Sequence, residues 1–554
     1  MKTNSLKLLG LALFGLIIVS CSSPAKMAKN ASLVTTECQP QVLEAVAGKI
    51  NATYSLNFPA KYFAQKAILD VTPVLVYQGG EIAGPVLSLQ GDKILENNKV
   101  VSFEQGGVIK TNVTFDYVPG VEKAHLELRA VAYNKTKSKN YPYPAPYKVA
   151  DGTNTTYMLV CTEGTPSFEA DNYQKIIKEQ KETQILYTIN KADVRANQLS
   201  KAEIKEFEQF LKNVTKDERR TLTSNDIVAY ASPDGGVELN GKLSEKRASS
   251  AKTAFIKNIT KKVKAAQEAP LNISQISQDW EGFQELVSAS NIQDKELILR
   301  VLSMYSDPEV REREIKNMSS VFKTLADKVL PELRRARFIA NVEYKNWTDE
   351  ELVQLINENI DQLDEEALLY GATLVNSAAA KQNIYAKAAE KFNSSRAYNN
   401  MAALYLKGEK TAEAKSALAK MSDKTPSYYN NMAVVALQEK NYKAAADYIS
   451  KSNLKEASYN QAILDILNGK YTEAVAKLAG TGAENEGLAY ILVNDLSKAS
   501  AALKCKCAKS SYLRAIVAAR QGNATEAKAQ LEAASKNADL AKRAKTDIEF
   551  AKIN

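Results

Sequence analysis

Histidine is almost missing from this 554-residue chain, which has one, His125, beside two tryptophans and five cysteines. One histidine leaves no Ser-His-Asp or Cys-His constellation and no histidine-based zinc site to assemble. Walker loops, a G-x-G-x-x-G after a strand and the G-x-S-x-G elbow are also missing. Ser244-Glu245-Lys246-Arg247 is not an S-x-x-K arrangement. No enzymatic activity and no cofactor is therefore expected, and His125, inside an alternating strand, reads as structural. The excess of basic side chains, a formal +9, is thin for such a length. It suits anionic surroundings such as a lipid leaflet or wall polymer, and no aromatic-basic motif accompanies it, so nucleic acid is not an expected partner.

What is present begins with a leader. Lys2 and Lys7 precede an apolar run from Leu8 to Val19, too short to span a bilayer as a retained helix. Residues 1–20 read as a signal peptide. Ile18-Val19-Ser20-Cys21 resembles the lipobox of bacterial lipoproteins, which implies an acylated Cys21, a lipid partner and a linker over 21–35. Surface-exported lipoproteins of the Bacteroidetes carry acidic residues just after that cysteine. Ser22-Ser23-Pro24-Ala25-Lys26 has none, so the resemblance implies the periplasmic face of the outer membrane.

With Cys21 acylated, four cysteines remain. Cys38 and Cys161 bracket one β-rich region, and a disulfide between them is expected. Cys505-Lys506-Cys507 is a C-x-C pair whose side chains could meet only in a turn. A zinc site would need further ligands beside that pair, and His125 is far away in sequence, so no metal is expected.

Residues 36–165 read as an antiparallel β-sandwich. Ala67–Tyr77 ends at Gly79-Gly80, Asn112–Val118 alternates up to Pro119-Gly120, and Ala124–Tyr133 alternates again. This region is expected to be either a partner-binding domain or a spacer.

The central stretch is organised around Ile227-Val228-Ala229-Tyr230-Ala231, a buried strand stopped by Ser232-Pro233-Asp234-Gly235. Asn240 follows in the loop. A helix then opens at Leu243-Ser244-Glu245-Lys246-Arg247-Ala248, with Arg247 in its first turn. A strand at Ile185–Ile189 and a helix over Lys201–Leu211 precede it. Leu333-Arg334-Arg335 leads a closing strand to Tyr344. Apolar periodicity at Trp280, Phe283 and Val287, at Ile298 and Leu302, and at Leu325 and Leu330 marks a helical insertion, about 261–332.

This pattern resembles OmpA-like peptidoglycan-binding domains, here over 183–345, in the longer form found in Bacteroidetes lipoproteins. In that family an Asp after the strand and the Arg of the Leu-Ser-x-x-Arg-Ala helix grip diaminopimelate. The matched positions are Arg247 for the arginine, Asn240 for the loop asparagine and Ser232 where the family has Asp, with Asp234 two residues on. The resemblance implies peptidoglycan as a partner through Arg247, Asn240, Ser232 and Asp234.

Residues 346–554 are alanine-rich and repetitive. Tyr398-Asn399-Asn400-Met401-Ala402 is echoed at Tyr429-Asn430-Asn431-Met432-Ala433 and Tyr459-Asn460-Gln461-Ala462-Ile463. Breakers at Glu409, Lys440, Gly469, Asn494 and Gly522 stand 31, 29, 25 and 28 residues apart. This looks like tetratricopeptide (TPR) repeats, an all-α solenoid whose concave surface would dock envelope proteins. The whole reads as a non-catalytic outer-membrane lipoprotein that scaffolds an envelope assembly and links it to peptidoglycan. The alternative is a pure protein-binding scaffold whose OmpA-like domain does not bind the wall.

Overall fold

Alternating burial along the early strands encloses an apolar interior: in β3 (Lys49–Phe58), Ile50, Ala52, Tyr54, Leu56 and Phe58 are buried and the residues between them are not. The computed structural model describes residues 23–553, apart from residues 137 and 293 and the side chains of residues 319–321; Cys21 and the leader lie outside the described residues. Around β3 run β1 (Thr35–Gln39), β2 (Val42–Val46), β4 (Ala67–Tyr77), β5 (Gly80–Ala83), β6 (Leu87–Gly91), β7 (Lys99–Val101), β8 (Gly107–Asp116), β9 (His125–Asn134), β10 (Asn140–Pro142) and β11 (Tyr147–Asn154). Their order is β1-β3-β2-β11-β9-β4-β6-β7, with β8 on β3, β5 on β4 and β10 on β9. All pairs are antiparallel except β2·β11 and β6·β7.

The expected β-rich region is present, and its strands form one hydrogen-bonded path. β2 pairs with β3 and with β11, so no break separates two sheets. β3 and β4 are not neighbours, yet Tyr54 and Leu56 share a buried cluster with Leu69 and Val71.

The expected disulfide is not formed: all four described cysteines carry free thiols. Cys38 is buried on β1, in register with Tyr54 of β3. Cys161 lies beyond the sheet, its thiol donating to Glu484 Oε2 at 3.1 Å. Bracketing one region in sequence did not place the two sulfurs together.

The three modules expected in sequence order give way to two compact units. One comprises residues up to Glu169 and from Ala389; the other is Ala170–Ala388. The second holds β12 (Ile176–Leu186), α1 (Ala202–Lys216), β13 (Arg220–Tyr230), α2 (Val237–Asn258), β14 (Leu271–Ile276), α3 (Trp280–Ala289), α4 (Lys295–Met304), α5 (Pro308–Asn317), α6 (Ser319–Lys328), β15 (Arg335–Lys345), α7 (Asp349–Glu358) and α8 (Glu365–Leu374). Its sheet runs β12-β15-β13-β14, with β15 antiparallel to β12 and β13 and β14 parallel to β13.

Three boundaries differ from the sequence reading. β12 begins at Ile176, well before the expected start at Ile185, because an edge strand can keep both faces of its outer half polar. β14 occupies part of the range assigned to a helical insertion; it too is an edge strand and mostly exposed. α2 starts at Val237, so Arg247 sits nearly three turns in, not in the first. Asn240 and Gly241 are poor helix formers and hid that early start. The helical elaboration itself is present: Phe283, Val287, Ile298, Leu302, Leu325 and Leu330 form one buried cluster.

In the first unit the C-terminal residues form helical hairpins that resemble TPR units. These are α9 (Ser395–Lys407) with α10 (Thr411–Ala419), α11 (Pro426–Gln438) with α12 (Tyr442–Ile449), α13 (Lys455–Leu467) with α14 (Tyr471–Leu478), α15 (Glu484–Leu492) with α16 (Leu496–Ala502), and α17 (Ala508–Arg520) with α18 (Ala524–Ala534). Each hairpin turns at one breaker with positive φ: Glu409 at 56°, Lys440 at 58°, Gly469 at 76°, Asn494 at 60° and Gly522 at 76°. That conformation reverses a helix end within a residue.

The hairpins and the N-terminal sheet bury one continuous core. Leu43, Leu126 and Tyr157 lie in the same cluster as Ile463, Ile516 and Phe550. At Gly469 an added Cβ would stand 2.3 Å from Val46 of β2. Glu549 accepts from Asn154 Nδ2 at 2.8 Å and Thr156 Oγ1 at 2.7 Å, and pairs with Arg520. Burial and the Arg520 guanidinium act in opposite directions on its carboxyl. The guanidinium and the two neutral donors prevail and hold it below the usual range.

Candidate functional site: an asparagine ladder on the helical repeat

The first helix of each of four successive hairpins carries a buried asparagine: Asn400, Asn431, Asn460 and Asn485. An asparagine carboxamide offers one acceptor and one donor side by side. The N–H and C=O of one extended residue point the same way and match that pair. Glu169 N donates to Asn400 Oδ1 at 2.7 Å, and Asn400 Nδ2 donates to Glu169 O at 2.9 Å. Ser167 makes the same exchange with Asn431 at 2.8 and 2.9 Å. Thr165 does so with Asn460 at 2.7 and 3.0 Å, and Cys161 with Asn485 at 2.8 and 2.9 Å.

Residues 165, 167 and 169 alternate, as the period of an extended strand requires. Gly164 has φ +71°, the left-handed region that favours glycine, and a Cβ there would crowd Val434 and Asn460 at 3.1 and 3.3 Å. Two more fully buried asparagines brace the ladder. Asn399 Nδ2 and Asn430 Nδ2 reach Ser167 O and Thr165 O at 3.1 and 3.0 Å. Asn431 and Asn460 in turn donate to Asn399 Oδ1 and Asn430 Oδ1 at 2.8 and 2.9 Å.

Segment 161–169 is thus a strap lying along the repeat, held by backbone and so almost regardless of its side chains. Along this face the repeat holds the chain's own residues. The Tyr-Asn motifs repeat visibly along the sequence, but the repeat pattern alone implies no role for the asparagines. A signal existed: the ladder asparagines are 31, 29 and 25 residues apart, the first three breaker intervals. Asparagine is also a poor helix-interior residue, so its recurrence there asks for a partner outside the helix.

The residues expected to hold a wall peptide cluster at the C-terminal end of β13. Asn240 Nδ2 donates to Ser232 O and Gly235 O at 2.9 and 2.8 Å, shaping the turn. The Ser232 hydroxyl donates to Asp234 Oδ1. Asp234 Oδ2 accepts from Arg334 Nη2 at 3.3 Å, and Arg334 Nε reaches Ser232 Oγ at 3.4 Å. In the sequence Arg334 is marked only as one of the pair leading the closing strand.

Arg247 is placed differently from expectation. It is 1% exposed, and its guanidinium donates to three carbonyls: Tyr230 at 2.9 Å, Lys191 at 3.1 Å and Thr188 at 3.3 Å. Its charge sits over the Tyr187 ring, 5.1 Å from the centroid. Burial pulls it down to about 10. It ties the end of β13 to the loop after β12, while the more accessible charges of the cluster belong to Asp234 and Arg334.

No family model and no curated protein matches the chain. Among solved structures it is similar to a tetratricopeptide repeat protein from Parabacteroides merdae, at 14% identity and a TM-score of 0.28, covering 43% of this chain and 99% of that one. It is also similar to the APC/C hetero-tetramer Cut9-Hcn1, at 15% identity and a TM-score of 0.31, covering 47% and 58%.

Proposed function

We propose that this chain is a non-catalytic scaffold of the bacterial cell envelope, held at the periplasmic face of the outer membrane by acylated Cys21. The ladder carries the scaffold reading. Its buried polar groups are spent on an extended backbone, which organises structure and leaves no group poised for chemistry. Protein partners then meet the surfaces of the sheet-and-repeat unit outside the strap. Crosslinking in intact cells, followed by capture of the chain, should return a fixed set of envelope proteins from wild type and lose it when Cys21→Ser releases the chain from membranes. Unchanged membrane retention and processing of Cys21→Ser would remove the anchor from this reading.

A second reading, a link to peptidoglycan, is favoured by the strand order β12-β15-β13-β14 and by the Asp234–Arg334 pair beside the Asn240-shaped turn. These support an OmpA-like domain in which Asp234 takes the ammonium of diaminopimelate and Arg334 its carboxylate, with Arg247 as a clamp behind them. Sedimentation with purified sacculi tests it. Binding should be weak and be lost in Asp234→Ala and Arg334→Ala. No binding by wild type would leave the scaffold without the wall.

A further inference from the structure

Three of the four described cysteines, from two distant parts of the chain, converge on one carboxylate. The Cys507 thiol donates to Glu484 Oε1 at 2.5 Å and the Cys161 thiol to Glu484 Oε2 at 3.1 Å. Cys505 Sγ accepts from Cys507 N at 3.2 Å. A Glu484 carboxylate oxygen and the sulfurs of Cys505 and Cys507 lie within 4.8 Å of one another. Residues 503–506 are not helical, which lets the C-x-C sulfurs turn toward the same point. The C-x-C pair lacked partners in the sequence; the fold supplies Glu484 and brings Cys161 to its other oxygen.

We propose that Glu484, Cys505, Cys507 and Cys161 bind one thiolate-preferring divalent metal ion of the zinc class. Glu484, Cys505 and Cys507 already stand within reach of one another, and Cys161, bonded to the other Glu484 oxygen, would close the set as fourth ligand; three sulfurs and one oxygen are the composition of a structural site rather than a catalytic one. On binding, the thiols release their protons to solvent and the metal takes the place of the S–H···O bonds. Two features offset the negative charge that builds up. Cys507 is the N-cap of the thirteen-residue α17, whose amide end favours a thiolate. Burial pushes the Cys161 thiol up, and the Lys509 ammonium acts against that in favour of its thiolate.

The consequence is mechanical. Cys161 is the first strap residue on the ladder, so a metal there pins that end of the strap to the loop between α16 and α17. The site stands on these four residues and is independent of the anchor and of wall binding.

The test is titration of the full chain, reduced and metal-free, with Co2+ as an optical probe. One equivalent should give a thiolate-to-cobalt charge-transfer band with tetrahedral d–d bands, displaced by Zn2+. Cys505→Ser, which changes an exposed side chain, and Cys507→Ser should abolish the band at equimolar metal. Cys161→Ser should lower its intensity by the share of one thiolate in three, and Cys38→Ser should leave it unchanged. Absence of stoichiometric binding, or a band that survives in the Cys505→Ser, Cys507→Ser double variant, would overturn the proposal. So would peptide mapping of unreduced protein from its own cells that finds any two of Cys161, Cys505 and Cys507 joined as a disulfide.

Discussion

Ser167 and Asn431 hold each other at both ends: the Ser167 amide donates to Asn431 Oδ1 at 2.8 Å and Asn431 Nδ2 returns a bond to the Ser167 carbonyl at 2.9 Å, across 264 positions of sequence. Both residues are buried, so neither half of the exchange can be replaced by water without opening the strap. Asn431→Ala should therefore cost roughly 1–3 kcal/mol for each buried polar group left without a partner. Denaturant unfolding measures the loss. Limited proteolysis should show new cleavage within residues 161–169, and cleavage elsewhere with an intact strap would refute the ladder's role.

Glu409 and Lys440 adopt a conformation that costs side-chain-bearing residues about 1–2 kcal/mol. Replacing either by glycine relieves that cost but loosens the unfolded chain, for a net gain of roughly 0.5–1 kcal/mol. Gly469→Ala should do the opposite, because its φ is +76° and the new Cβ would meet Val46. A rise in melting temperature for the first two variants and a fall for the third is the expected pattern.

Glu549 sets an acid limit on the sheet-and-repeat unit. Its folded carboxyl lies below the ordinary glutamate value, held there by Arg520, Thr156 and Asn154 against the effect of burial. The unfolded chain therefore binds a proton at higher pH than the folded one. Stability from this group is fully present above the unfolded glutamate value, about 4.3, and is lost as pH falls through the lower folded value. Glu549→Gln should lower stability at pH 7 and flatten the decline below about pH 4.3. An unchanged pH profile in that variant would contradict the assignment.

Thiol labelling should rank the cysteines. In metal-free protein Cys505 is exposed, and the Cys507 thiol and amide beside it lower its pKa, so it should react first. Cys38 is buried and pushed up by desolvation, so it should react only on unfolding. Rapid native labelling of Cys38 would show that β1 opens.

Much of the repeat was legible because a helix reversal needs a left-handed residue, and the breakers at Glu409, Lys440, Gly469, Asn494 and Gly522 stand at those points. The strand through Ile227 and the closing strand through Phe338 were legible because alternating apolar residues leave one buried face. The polar half of β12 and all of β14 were not, since edge strands can be wet on both sides. Asn240, expected in the loop as a ligand contact, lies inside α2, and its carboxamide is spent on the turn carbonyls of Ser232 and Gly235. Arg247 shows a different limit. Sequence places an arginine beside a turn, but whether its donors meet carbonyls or a ligand depends on how the loop carrying Thr188 and Lys191 returns. The closure of the N-terminal sheet on the last helices depends on complementary apolar surfaces hundreds of residues apart, for which one sequence has no local mark.

That closure has a kinetic consequence. The sheet-and-repeat unit is interrupted by Ala170–Ala388, and part of its core comes from Phe550 and Ile553, at the far end of the chain. The strands that emerge first during synthesis must wait for nearly the whole polypeptide before their last apolar face is covered. Contacts of such separation form slowly and leave surface open to aggregation meanwhile. The central unit suffers no such delay, since all its strands lie within one continuous stretch. Refolding from denaturant should thus show two phases, a faster one from the interrupting unit and a slower one in which both ends of the chain meet.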